Sequence, residues 1–189
     1  MRHPVPKLVA ASALLLPALA FAHAGHVESG VMAGLVHPFT GLDHLLVIVG
    51  VGLWGARRGG SFSQAMRMPL LFVGMMLVGA LAARAGLQVP ALEPLLAASL
   101  LVIGLALSTP RGGPALLAYA LCAMAGVLHG AAHGQELQGA GALAGMLVAT
   151  VAGHALGLLA GRRLGTQGAM AWRLLGLTVA GAGAGLLLT

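Results

Sequence analysis

A chain of 189 residues that is 59% hydrophobic and only 7% charged, with mean hydropathy +0.96, cannot clothe a water-soluble core in polar surface. A formal charge of +6 and a pI near 11.5 would point a soluble protein towards nucleic acid. Here the basic residues stand in short segments between apolar runs, where they serve as topology signals, and no nucleic-acid partner is expected. The single cysteine, Cys122, excludes an intrachain disulfide and a thiolate metal cluster.

In chain order, residues 1–22 begin with Arg2 and Lys7, continue as an apolar stretch, and end in Ala20-Phe21-Ala22, the small-residue pattern of a cleaved secretory signal peptide. Cleavage would leave residues 23–189 as one transmembrane domain with a periplasmic N-terminus, its opening His23 and His26 either gathering metal at the mouth or forming a solvated tail. Six apolar segments follow, at roughly 31–55, 68–86, 92–108, 114–131, 138–160 and 170–188, each long enough to cross the hydrocarbon core as a helix. The expected fold class is therefore all-α, a polytopic bundle of six transmembrane helices in the bilayer. That arrangement puts Arg57, Arg58, Arg67, Arg111, Arg162 and Arg163 on one side, with Arg173 close to it, and leaves only Arg84 on the other. By the positive-inside rule the arginine-rich side is cytoplasmic and the start of the first span lies outside.

Ionisable groups inside a bilayer are costly, so those that occur there call for a functional explanation. One group lies in the first span, His37-Pro38-Phe39-Thr40-Gly41-Leu42-Asp43-His44. Pro38 disfavours helix at the preceding residue and Gly41 loosens the next turn, so a break is expected there. His37 and His44 would stand about 10 Å apart on a straight helix, too far to share an ion. Either the break folds His37 back or the two histidines are successive stations on a path. Asp43 reads either as a ligand or as the partner that orients His44.

The second group, His129-Gly130-Ala131-Ala132-His133-Gly134-Gln135-Glu136, ends the fourth span. The spacing of His129, His133 and Glu136 sets two imidazoles and a carboxylate on one helical stripe. H-x-x-x-H alone often marks two solvated histidines. With a carboxylate added, in lipid, it suits nickel, cobalt, zinc or copper(II). Gly126, Gly130 and Gly134 repeat beside the stripe, and Gly153, Gly157 and Gly161 repeat in the fifth span, in the pattern that admits a close neighbouring helix. Glu93 before Pro94 reads equally as a helix cap or a ligand. His154, alone in the fifth span, reads equally as a relay ligand or a satisfied core histidine. Both main groups fall in the outer half of the membrane, which favours uptake over export.

H-P-x-x-G-x-D-H after a signal peptide, followed by H-G-x-A-H-G-x-E, resembles the HupE/UreJ family, membrane proteins associated with hydrogenase and urease maturation and regarded as nickel carriers. The first motif is matched by His37, Pro38, Gly41, Asp43 and His44, and the second by His129, Gly130, Ala132, His133, Gly134 and Glu136. Leu128 stands where the family often has Phe. The resemblance implies Ni2+ as a transported substrate, no permanent cofactor, and a hydrogenase or urease maturation system as recipient, with a homo-oligomer as a further possibility. It leaves open the alternatives of Co2+, Cu or Zn2+, and of a membrane metal sensor or chaperone that does not transport. No H-E-x-x-H or nucleophile constellation occurs, so enzymatic activity is not expected. The acidic residues beside the histidines argue against a haem electron carrier.

Overall fold

The computed structural model describes residues 28–165 and 168–188. The signal-peptide segment 1–22, His23 and His26 lie outside the described residues. The architecture is all-α: α1 (Val31–Val36), a 3-10 turn (His37–Phe39), α2 (Leu42–Arg58), α3 (Phe62–Arg84), α4 (Leu92–Ser108), α5 (Ala115–Glu136), α6 (Gly139–Leu164) and α7 (Ala169–Leu186). Two short segments, β1 (Glu28–Ser29) and β2 (Leu137–Gln138), pair in parallel and tie the chain before α1 to the residues that follow α5.

Among the described residues four helices, α3, α5, α6 and α7, are long and apolar enough to cross a membrane, as expected of a multi-pass membrane protein. A fifth candidate is the broken pair formed by α1 with its 3-10 turn and α2, bent by 84°, and α4 is apolar but shorter at 17 residues. The first apolar segment is therefore no continuous helix. Gly41 is extended (φ −112, ψ 131), and α2 starts at Leu42, so the break lies at Gly41 and Asp43 and His44 occupy the first turn of α2. Two further boundaries differ from the sequence expectation. α3 begins at Phe62 because Ser61 and Gln64 form a capping box, each side chain bonding the other's backbone N–H. α5 runs on to Glu136, which carries the whole second motif on regular helix.

Glycines set the packing of three helix pairs. A Cβ on Gly130 would collide with the Met76 carbonyl, and one on Gly134 would lie 2.5 Å from the Ala80 carbonyl oxygen, so α5 lies backbone to backbone on α3. Gly153, Gly157 and Gly161 bring α6 equally close to α2, against Ile48, Val49 and Ala56, and Gly104 and Gly176 do the same for α4 and α7. Without a hydrophobic drive between helices in lipid, such contact gains its stability from dispersion. α2 is central, packing on α3, α4 and α6, with Val47, Val51 and Trp54 buried. Leu70, Val78, Leu105, Met124, Val148, Leu156 and Leu174 face outward, an apolar exterior suited to lipid.

Arginines gather at one end of the bundle. Arg57 donates to the Thr109 carbonyl, Arg58 to those of Arg111 and Gly113, and Arg162 to that of Gly60. Arg57 also lies over the Trp172 ring and Arg58 over Tyr119. At the opposite end Arg84 donates to the carbonyls of Leu137 (2.8 Å) and Gly139 (3.1 Å), fixing the turn that follows the second motif.

Candidate metal centre

The bend before α2 and the straight course of α5 bring both motifs together at the end opposite the arginine cluster. One ligand atom each from His37, His44, His133 and Glu136 falls within a group whose members all lie within 4.8 Å of one another. Three of the atoms form a tight triangle. His37 Nε2 is 3.1 Å from His133 Nδ1 and 3.0 Å from Glu136 Oε2, and the last two are 3.5 Å apart. A metal with bonds of about 2.0–2.2 Å to nitrogen and oxygen needs neighbouring ligand atoms about 3 Å apart at right angles and slightly more in a tetrahedron. The triangle has those edges.

The fourth member, His44, has its ring centroid 4.6 Å from that of His133 and 6.0 Å from that of His37. Of the two readings of the His37–His44 spacing, the structure has the folded-back one. His44 and His133 are buried, the His37 side chain is 11% exposed and that of Glu136 27% exposed, so the group opens to its surroundings on the His37–Glu136 side.

Two residues expected with this group stand one layer out. Asp43 Oδ1 lies 3.1 Å from His44 Nδ1, which sets a carboxylate against the His44 ring as a charge contact. His129 continues the stripe one turn deeper, its ring centroid 5.7 Å from that of His44, and its Nε2 lies 3.0 Å from Ser99 Oγ. Ser99 spends its one proton on the Leu96 carbonyl at 2.7 Å. The Ser99 oxygen therefore accepts, His129 carries its proton on Nε2, and Nδ1 is the free lone pair in the neutral ring. Ser99 was not singled out from the sequence, although a buried hydroxyl inside the otherwise apolar α4 is a signal that could have found it. Phe72 was missed too: its ring lies 5.8 Å from His129 and 5.2 Å from His154, between two polar stations. Nothing in its own neighbourhood of the sequence marks it.

Glu93 is exposed in the first turn of α4, outside the four-residue group, where its charge suits a helix N-terminus. His154 is fully buried, with Nδ1 2.6 Å from the Ile48 carbonyl oxygen. Pro38 is buried in the 3-10 turn that carries His37 inward, and Gly41 is confined: a Cβ there would lie 2.6 Å from Asp43 Oδ1 and 3.1 Å from His44 Nδ1. Gly130 and Gly134 seat the second motif on α3.

A family model described as HupE / UreJ protein matches residues 11–186. Protein HupE from Rhizobium leguminosarum bv. viciae is 38% identical over 181 residues, covering 93% of this chain and 94% of that protein. No solved structure matches the chain. Signature motifs, span of the match and identity agree, and the chain belongs to the HupE/UreJ family.

Proposed function

We propose that this protein carries a divalent transition metal, nickel foremost, across the bacterial inner membrane, taking it up by facilitated diffusion or secondary transport and supplying hydrogenase or urease maturation. The observation that carries the reading is the triangle of His37 Nε2, His133 Nδ1 and Glu136 Oε2, built from both motifs with edges suited to one small cation. Imidazole and carboxylate are borderline donors that suit nickel, and His44 stands close enough to complete a fourth position. Glu136, with Asp43 one layer out, supplies two carboxylates against a doubly charged ion, lowering the cost of its entry into a low-dielectric bundle. The group also opens on one side, as an exchanging site must.

In this reading the broken pair α1–α2 counts as one crossing and α4, about 25 Å long at 1.5 Å per residue, as another. The mature chain then crosses six times after loss of its signal peptide. The arginine end is cytoplasmic and the histidine end periplasmic, so the site meets ions arriving from outside. The test is radioactive nickel flux into proteoliposomes holding wild type or His133→Ala. Flux in wild type and its loss in the variant are expected. Equal flux in the two removes the second motif from the mechanism, and no flux above empty vesicles for any metal ends the transport reading.

A further inference from the structure

His154 is 0% exposed, yet only one of its ring nitrogens is accounted for. A carbonyl oxygen can only accept, so the 2.6 Å contact with Ile48 fixes the proton on Nδ1. Nε2 of the neutral ring is then a bare lone pair, and it has no hydrogen-bond partner among the described residues. Leaving a buried acceptor unmatched is costly, and packing alone would be served as well by leucine. The proton on Nδ1 is what a metal-binding imidazole needs in order to present Nε2.

Its position adds a second argument. Ile48 follows His44 by one helical turn on α2, so His154 is tied to α2 about 6 Å deeper in the bundle than His44. Successive ring centroids lead there without a gap: His37 to His133 at 5.0 Å, His133 to His44 at 4.6 Å, His44 to His129 at 5.7 Å, His129 to Phe72 at 5.8 Å and Phe72 to His154 at 5.2 Å. Nδ1 faces α2, so Nε2, roughly across the ring, turns away from it. Phe72 is in ring contact with both His129 and His154, so it bridges the two polar stations.

We propose that His154 is a transit ligand for the metal, taking the ion through Nε2 after it has left the His37–His44–His133–Glu136 site and passed Phe72. The inference rests on the transport reading and extends it inward. A single neutral nitrogen holds an ion weakly, which suits a station that must release it.

The deciding variant is His154→Asn, whose side-chain amide can keep the hydrogen bond to Ile48 while removing the atom at the Nε2 position. Nickel flux into proteoliposomes and equilibrium binding of nickel to the purified protein are measured together with thermal stability. Flux is expected to fall about tenfold or more, with nickel affinity within about twofold of wild type and the melting temperature retained. Flux equal to wild type, with His133→Ala inactive in the same assay, overturns the role of His154 and leaves the transport reading standing. Equal losses of affinity and flux also overturn it, since His154 would then act by positioning α2. Absence of flux in wild type overturns both. Should the variant not fold, wild-type protein with 15N-histidine and 13C-carbonyl isoleucine in nanodiscs decides the matter. The chain has only two isoleucines, so contact with labelled Ile48 identifies His154. Excess Cd(II) should shift its Nε2 resonance, and an unmoved resonance overturns the proposal.

Discussion

His37 and His44, seven positions apart, have ring centroids 6.0 Å apart because the chain turns through 84° between them. On a continuous helix they would be separated by about 10 Å. Gly41 sits at the turn with a backbone (φ −112, ψ 131) open to any residue. The requirement is space: a Cβ would press on Asp43 Oδ1 and His44 Nδ1. Gly41→Ala should therefore fold and weaken nickel binding by about 10–100-fold, the usual cost of disturbing the groups that orient a metal ligand. Isothermal titration of the purified variant checks this. Unchanged affinity would show that the Asp43–His44 pair absorbs the extra methyl.

What could be read from sequence follows the reach of local geometry. His129, His133 and Glu136 could be placed together because helical periodicity fixes residues three and four apart, and the sharing of one end by Arg57, Arg58, Arg111 and Arg162 follows from alternating crossings. Where His37 lands could not be read, since Pro38 and Gly41 signal a break without setting its angle. Ser99 on α4 and Phe72 on α3 meet His129 across helix interfaces, and their spacing from it carries no period. The close approach announced by Gly130 and Gly134 was legible, while α3 as the helix that approaches was not.

Glu136 is the only carboxylate in the four-residue group, with Oε2 3.0 Å from His37 Nε2 and 3.5 Å from His133 Nδ1. Glu136→Gln keeps the shape and removes the charge, so a divalent ion would enter with less compensation. Nickel affinity should fall by about 10–100-fold and flux should fall with it, with little change in melting temperature. A variant that binds and transports like wild type would place the ion elsewhere.

Ser99 fixes the proton of His129 by accepting from Nε2 while it donates to Leu96. In Ser99→Ala that acceptor is gone and both tautomers become accessible, so Nδ1 is a free lone pair only part of the time. Flux should drop several-fold, Ser99→Thr should restore it, and 15N-histidine NMR should show a second tautomer in the alanine variant. A single unchanged tautomer in Ser99→Ala would mean that another group holds His129.

Two glycine substitutions separate packing from helix propensity. Gly130 faces the Met76 backbone of α3, where an added Cβ has no room, whereas a Cβ on Gly74 meets nothing within 4 Å. Alanine favours helix by up to about 1 kcal/mol over glycine, so Gly74→Ala should leave the melting temperature in detergent unchanged or raise it. Gly130→Ala receives the same gain and must also push α5 off α3, where overpacking costs about 1–3 kcal/mol. It should melt earlier. Because α5 carries His133 and Glu136 while His37 stands on the 3-10 turn before α2, that displacement should also widen the triangle and weaken nickel binding. A Gly130→Ala protein of wild-type stability and affinity would show that α5 can ride further from α3 without moving the site, and that close backbone contact is not what holds the two motifs in register.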